Sequence, residues 1–260
     1  MPEGPEIFML SHWLNEILES YDLIGHTRVN KNRHLSFKGH NILDDLISDE
    51  QKIISVYSKG KKTVMQFNKM SILVSYGLTG TFYDDDENIP NMKNVHFYLT
   101  FRKGDNEKKL YYYDPRGFGG IVVDDNDEIE RLLEELGPDP ITEHISYSDF
   151  SQYFEDDRRG KTKIINFLMN QNNISGIGNK WVAEILFATK LHPLSHMNKI
   201  PHSIRIKLFE NITKILRKAS GDREHEIHVY KKSRYGDYDV KILENGGRSV
   251  YYVSELQIRY

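Results

Sequence analysis

The sequence predicts an α+β chain: an N-terminal antiparallel β-sandwich with a flanking N-terminal helix, then a C-terminal helical domain, then a terminal β-hairpin. Three observations carry that prediction. Apolar residues at helical spacing open the chain, and a long series of short β-branched and aromatic segments follows them. At Leu136-Gly137-Pro138-Asp139-Pro140 two prolines and a glycine end one pattern and begin another, so this segment reads as a linker. The expected boundaries are a sandwich over 1–135, a linker and helical domain over 136–225, and a hairpin over 226–260.

From Pro5 to about Ser20, Ile7, Leu10, Leu14, Ile17 and Leu18 share a helix face. Pro5 suits a first turn, and Gly25 is expected to close the following connection. Strands are expected at Ile53–Tyr57, Thr63–Phe67, Ile72–Tyr76, Val95–Arg102, Lys109–Tyr113 and Gly120–Val123. The acidic runs Asp84-Asp85-Asp86-Glu87 and Asp124-Asp125-Asn126-Asp127 read as loops between them. Helices are expected at Lys161–Asn170, Asn179–Lys190 and His202–Ala219. Strands return at Ile227–Lys232, Tyr238–Leu243 and Ser249–Val253, with Asn245-Gly246-Gly247 as a hairpin turn. Internal repeats and low-complexity tracts are absent from the sequence.

Composition narrows the chemistry. With no cysteine among 260 residues, disulfides, thiolate metal sites and a cysteine nucleophile are excluded. No apolar run approaches the roughly 20 residues of a membrane helix, and the acidic N-terminus lacks the apolar core of a secretory signal. An intracellular chain without a membrane partner is expected, its compartment undetermined. The net charge of −3 conceals an asymmetry. Residues 1–157 hold 16 Lys+Arg against 29 Asp+Glu, a balance of −13, and residues 158–260 hold 19 against 9, a balance of +10. A basic C-terminal half can bind a polyanion by itself.

Five segments can carry chemistry, and each has a plainer structural reading. Removal of Met1 would leave Pro2 as a terminal secondary amine, with a pKa near roughly 7.7–8.0, able to attack an electrophilic carbon and form an iminium. Glu3 and Glu6 lie beside it as proton donors or acceptors, although Pro5 and Glu6 also suit an ordinary helix start. Lys59-Gly60-Lys61-Lys62 is either a basic hairpin turn or a way to set Lys61 against a phosphate. Asn173-Ile174-Ser175-Gly176-Ile177-Gly178-Asn179 lets backbone approach an anion at a helix start, with Asn179 as cap or ligand. Asp114-Pro115-Arg116-Gly117-Phe118-Gly119 is either a wedge into a base stack or a turn with Phe118 in the core. Gly247-Arg248-Ser249 puts an arginine on a β-ribbon turn, either to reach DNA or simply as an exposed arginine on a surface hairpin. The histidines form no convincing metal set: Pro193 interrupts His192 and His196, and His225 and His228 lack a third ligand.

In this order the motifs resemble the formamidopyrimidine-DNA glycosylase and endonuclease VIII (Fpg/Nei) family. Pro2-Glu3-Gly4-Pro5-Glu6 looks like the family's start, with Gly4 similar to its Nei-type branch, and Lys61 matches its hairpin lysine. Asp114 to Gly119 is similar to its D-P-R-R-F-G loop, Leu136 to Pro140 to its L-G-P-x-P linker, and Leu168 to Asn179 to its helix–two-turn–helix segment. Gly247-Arg248-Ser249, with Tyr251, Tyr252 and Gln257, resembles the end of its finger. The resemblance implies a bifunctional DNA glycosylase/AP lyase acting on damaged DNA, duplex or single-stranded, as a monomer without a cofactor. It makes Pro2 the nucleophile at C1′, Glu3 the acid/base and Glu6 its support. Lys61, Asn179 and Arg248 would hold phosphates, and Leu78, Arg116 and Phe118 would fill the hole left by the flipped nucleotide.

The departures are informative. Val253 and Leu256 stand where the family has its last two finger cysteines, which resembles the zincless finger of some Nei-like members, so no metal is expected. Tyr230, Tyr238, Val240, Ile242, Tyr252 and Val253 are then expected to hold the finger by packing. Gly117 replaces the second arginine of the D-P-R-R-F-G loop, leaving one phosphate contact unsupplied. The segment Ser220 to Val229 is short where the resemblance implies, for Fpg proper, a longer loop covering oxidised purines, so the resemblance leans the substrate toward oxidised pyrimidines and ring-opened bases and away from 8-oxoguanine. Two other readings compete: a catalytically silent damaged-DNA-binding protein on the same scaffold, which has no need of a terminal amine, and a helix-hairpin-helix glycosylase, which explains neither end of the chain.

Overall fold

A computed structural model describes residues 2–29, 35–39, 43–44, 47, 52–155, 160–222 and 225–260. It divides into two compact units. One contains Pro2 and runs on from Glu6 to Glu135; the other contains Glu3–Pro5 and Leu136–Tyr260.

Helix α1 (Gly4–Ile17), which belongs to the first unit from Glu6 onward, buries Ile7 and Leu14, two turns apart on the expected face. The Ser11 hydroxyl meets Thr63 Oγ1 at 2.7 Å, tying the helix to a sheet. Among the described residues nine strands follow: β1 (Asp22–Arg28), β2 (Ser36–Lys38), β3 (Ser55–Lys59), β4 (Lys62–Gln66), β5 (Met70–Ser75), β6 (Thr81–Tyr83), β7 (Val95–Lys103), β8 (Asn106–Tyr113) and β9 (Gly120–Asp125). They form a four-stranded sheet in the order β1-β7-β8-β6 and a five-stranded sheet in the order β2-β9-β5-β4-β3. Val56, Met65, Val74, Phe82, Phe97, Leu99, Tyr112 and Ile121 belong to one buried core.

Three expectations are corrected here. Strands β1, β2 and β6 were not foreseen, and β2 pairs with β9 in parallel, so the sandwich is not wholly antiparallel. Gly25 lies inside β1, at the irregularity where pairing steps from Leu23↔Phe101 to Gly25↔Thr100, and closes no connection. The second acidic run is a helix start rather than a loop. The Asp125 carboxylate accepts from the Glu128 amide at 2.8 Å and caps helix α2 (Asn126–Glu134), with Asp127 and Glu128 in its first turn.

The second unit packs helices α3 (Tyr147–Glu155), α4 (Ile164–Met169), α5 (Asn179–Thr189) and α6 (His202–Gly221) around Trp181, Ile185, Phe167 and Leu208. Helix α5 is buried along most of its length and ends at Lys190, whose φ of 58° marks a left-handed cap. The linker docks on the turn between α4 and α5: the Gly137 amide donates to the Gln171 carbonyl at 2.8 Å, and the Ser175 amide to the Pro138 carbonyl at 3.0 Å. Two small ribbons complete the unit, β10 (Arg234–Tyr235) with β11 (Tyr238–Asp239), and β12 (Lys241–Asn245) with β13 (Arg248–Tyr252). Asn245 faces Arg248 across a two-residue turn in which Gly246 and Gly247 have φ of 58° and 74°. A primed turn needs that sign at both positions, which explains the paired glycines.

The strand expected at Ile227–Lys232 does not form. Its amides are taken by a carboxylate instead: His228, Val229 and Tyr230 donate to Glu184 of α5 at 2.9, 2.9 and 2.8 Å. The expected strand Tyr238–Leu243 is divided between β11 and β12. Of the residues expected to pack the finger, Val240 and Val253 are buried with Val229 and Ala183, and Tyr230 packs against them, whereas Tyr238 and Ile242 are exposed. Ile242 pairs with Tyr251, which packs against that cluster, but is itself 58% exposed. Val250 takes the expected inward role, joining the core around Trp181. No helix among the described residues is long and apolar enough to cross a membrane.

Candidate active site and nucleic-acid interface

Glu3 is 2% exposed, and its position is set by the start of α5. Its two carboxylate oxygens accept from the amides of Lys180 at 3.0 Å and Trp181 at 3.2 Å. These are orphan donors of the helix's first turn, where an anion is also favoured by the helix dipole. Gly178 is the N-cap and supplies no side-chain bond. A Cβ at Gly178 would overlap the Glu3 carboxyl carbon, so the second glycine of Gly176-Ile177-Gly178 is there to admit Glu3. The neighbouring Gly4 amide donates to the Gly176 carbonyl at 2.8 Å, and a Cβ on Gly4 would stand 3.0 Å from the Gly176 Cα. Gly176 itself has φ of 88°, a conformation that favours glycine.

Gln171 braces the same turn. Its Oε1 accepts from the Gly176 amide at 3.0 Å, and its Nε2 donates to the Ile177 carbonyl at 2.9 Å and the Met169 carbonyl at 3.0 Å. The Tyr230 hydroxyl is held above the usual tyrosine range by burial first, then by the charge of Glu3 and by Tyr251. The Tyr230 and Tyr251 rings meet edge to face at 5.2 Å.

Asn179 does not cap the helix, contrary to one of its expected roles. Its Nδ2 donates to the Ser249 carbonyl at 2.6 Å, clamping β13 beside α5, while its buried Oδ1 has no partner among the described residues. Arg248, exposed at the start of β13, is thereby held next to it. A cavity of about 270 Å³ opens here, lined by Asn166, Asn170, Asn179, Asn245, Gly246 and Arg248 among others. Asn245 Nδ2 donates to Asn166 Oδ1 at 2.7 Å across it. Sequence reasoning missed Asn166, Asn170, Gln171 and Asn245. The amide-rich run Asn170-Gln171-Asn172-Asn173 was the available signal, since such a run has no use on a helix face.

In the first unit Pro2 and Glu6 are half-buried. Lys61 occupies the two-residue turn of the β3–β4 hairpin, where Lys59 faces Lys62 and Gly60 has φ of 60°. The Lys62 amine is pushed down by burial, opposed by the charge of Glu135. Leu78 is half-buried in the turn between β5 and β6. Phe118 is 60% exposed, which removes the reading that puts it in the core. The Arg116 guanidinium lies 5.3 Å from the Phe118 ring centroid, so the two side chains share one surface.

A finger zinc does not fit these residues. Val253 is fully buried and Leu256 packs against it, an apolar pair where ligands would be needed. His192 and His228 are engaged elsewhere. His192 Nδ1 accepts from the Leu194 amide at 3.1 Å, and His228 Nδ1 lies 3.1 Å from Glu184. Among the described residues no three His, Asp or Glu side chains are grouped to hold a metal.

Comparison with known proteins gives a consistent result. Residues 1–121 match the family model described as the formamidopyrimidine-DNA glycosylase N-terminal domain, and residues 136–229 match that of the formamidopyrimidine-DNA glycosylase H2TH domain. A protein named formamidopyrimidine-DNA glycosylase from Aliivibrio fischeri is 29% identical over 202 residues, spanning 71% of this chain and 72% of the relative. One of the same name from Herpetosiphon aurantiacus is 26% identical over 237 residues, 91% of this chain and 84% of the relative. Among solved structures, Lactococcus lactis Fpg with an oxidised-pyrimidine-containing DNA aligns with a TM-score of 0.86 at 21% identity, covering 98% of this chain and 99% of that one. The Lactococcus lactis enzyme with Fapy-dG-containing DNA aligns at 0.85, also at 21% identity, over 97% and 98% of the two chains. At that identity the structural likeness is one of fold.

Proposed function

The chain belongs to the formamidopyrimidine-DNA glycosylase and endonuclease VIII family, and from that premise we propose that it is a bifunctional DNA glycosylase and AP lyase of base excision repair. The observation that carries the reading is the carboxylate of Glu3, buried and fixed by the α5 amides one residue from Pro2. A buried carboxylate next in the chain to a terminal secondary amine is the pairing that nucleophilic attack with acid–base assistance needs.

The chemistry follows from the groups present. With Met1 removed, the Pro2 nitrogen attacks C1′ of the damaged nucleotide. The N-glycosidic bond breaks and the base leaves, taking a proton. The nitrogen lone pair then closes an iminium with C1′ as the sugar ring opens. The Glu3 carboxyl group delivers and recovers protons at the sugar and base. Loss of a C2′ proton expels the 3′ phosphate by β-elimination, and a second elimination expels the 5′ phosphate. Water releases the sugar fragment and restores the amine. Glu6 supports this site, and Lys61, Asn179 and Arg248 hold the phosphates around it. Leu78, Arg116 and Phe118 fill the duplex where the base has left, a cost smallest for a damaged base.

For substrate we propose oxidised pyrimidines and ring-opened purines in preference to 8-oxoguanine. Only seven residues, 222–228, separate the end of α6 at Gly221 from buried Val229, which leaves little chain to cover the intact fused ring of 8-oxoguanine. The test is single-turnover cleavage of duplexes bearing an oxidised pyrimidine, a ring-opened purine or 8-oxoguanine. Excision of the first two well above the third is expected, and 8-oxoguanine cut as fast as the others would overturn the preference.

A further inference from the structure

Two loops of the first unit carry the residues assigned above to filling the duplex. Leu78 sits in the turn 77–80, and Arg116 and Phe118 sit in the loop 114–119. Nothing in the motif requires these loops to be joined, yet one buried carboxylate joins them. Asp114 is fully buried, and its Oδ1 accepts from the Thr79 hydroxyl at 2.5 Å and from the Arg116 amide at 3.2 Å. Its Oδ2 accepts from the Gly119 amide at 2.8 Å. Its own amide donates to the Asn94 carbonyl at 2.9 Å, and its carbonyl accepts from the Gly117 amide at 3.2 Å. That carbonyl also lies 2.8 Å from His96 Nε2, which donates in the tautomer that protonates it. Every polar group of Asp114 is therefore engaged, and its conformation is fixed from all sides.

Thr79 completes the link from the other loop. Its Oγ1, donating to Asp114, also accepts from the Arg116 amide at 3.3 Å. One residue pair away the loops touch again: Gly77 has φ of 55°, and a Cβ there would overlap the Phe118 carbonyl. So the backbones beneath Leu78, Arg116 and Phe118 are pinned at two points, while the Phe118 ring remains exposed.

We propose that Thr79 and Asp114 act as a positioning clasp that makes the two loops one preorganised wedge, and that this clasp determines performance on duplex rather than single-stranded substrate. The proposal rests on the glycosylase reading above. A wedge enters a base stack only in a duplex, and the ordering cost of two independent loops would be added to the cost of unstacking. A single strand has no stack to fill, so the clasp has nothing to contribute there.

The variants are Thr79→Val, which keeps shape and loses the hydroxyl, and Thr79→Ser, which keeps the hydroxyl. Asp114 retains both amide bonds in either, so the loop still folds. Two readouts are taken on wild type and both variants. The first is single-turnover excision of an oxidised pyrimidine from duplex and from single-stranded oligonucleotide. The second is the fluorescence of 2-aminopurine placed opposite a tetrahydrofuran abasic analogue in duplex, which reports wedge insertion without chemistry.

Thr79→Val is expected to lose about tenfold on duplex, the scale of one hydrogen bond to a charged group, and nothing on the single strand. It should also require correspondingly more protein for the fluorescence change, and Thr79→Ser should match wild type throughout. Equal losses on both substrates, or an unchanged duplex rate and fluorescence, would overturn the clasp. A wild type that inserts but excises nothing would strike the glycosylase reading and leave the clasp to be judged by fluorescence alone.

Discussion

Gly178 and Glu3, 175 positions apart in the chain, share one volume: the Glu3 carboxylate occupies the space where a side chain at 178 would begin. Gly178→Ala must therefore displace either Glu3 or the first turn of α5. Since φ at 178 is −126°, ordinary for alanine, the effect is steric and not backbone strain. Base excision is expected to fall by about 10²-fold or more, on the scale of displacing a group by an ångström. Affinity for undamaged duplex should change little. A Gly178→Ala enzyme with wild-type excision would show that the Glu3 position is not needed.

Arg248 and Asn179 should separate in their salt dependence. Arg248→Ala removes a cation from the ribbon turn, so binding to damaged and undamaged duplex should weaken alike, with the slope of log K against log salt falling by about one. Asn179 is neutral and holds the Ser249 carbonyl, so Asn179→Ala should weaken binding while leaving the slope unchanged. Filter binding across a salt series measures both. An unchanged affinity in Arg248→Ala would show that the hairpin does not touch DNA.

Both ends of the α5 story were legible in part. Pro2-Glu3, the glycine turn and the Gly246-Gly247 hairpin could be read from residue type and spacing, because glycine at a required φ and a short polar turn leave local marks. What joins them could not. Glu184 looks like any helical glutamate, yet it takes three amides from residues 44–46 positions later, and that capture is why the expected strand at Ile227–Lys232 never forms. The parallel β2–β9 pair and the clamp of Asn179 on Ser249 are likewise contacts between distant segments, which no local pattern encodes. Ile242 was expected to pack because it is apolar and β-branched, yet residue type does not say whether a ribbon position is covered, and it stays exposed while Val240 is buried.

The finger should need no metal. Activity is expected to survive prolonged EDTA treatment, and elemental analysis should find no stoichiometric zinc. Glu184 does the anchoring in this account. Glu184→Ala would strand the amides of His228, Val229 and Tyr230, at a cost of about 1–3 kcal/mol or more. Amide hydrogen exchange at those three residues should accelerate accordingly. Zinc at one equivalent, or loss of activity in EDTA, would contradict this.

Acidification should weaken the C-terminal unit through His192. Burial, and then Arg259, holds its pKa below the ordinary 6.5. Between the native value and 6.5 the unfolded chain binds more protons than the folded one, so stability rises with pH across that window and is lost as pH falls through it. Protonation at Nδ1 also removes the acceptor for the Leu194 amide. His192→Asn keeps an acceptor that does not titrate, so its thermal midpoint should fall less than that of wild type between about pH 7.5 and about pH 5.5. Equal falls would place the sensitivity elsewhere, His225 being the next group with a depressed pKa.

The central claim is that the Pro2 nitrogen is the nucleophile, and borohydride trapping tests it most directly. Protein with a processed terminus, mixed with lesion-bearing duplex and borohydride, should give a covalent protein–DNA adduct whose modified residue, after proteolysis, is Pro2. The same chain with one extra residue ahead of Pro2 should give no adduct and no base excision. Full excision from the blocked chain, or an adduct mapped to Lys61 or any other lysine, would contradict the account.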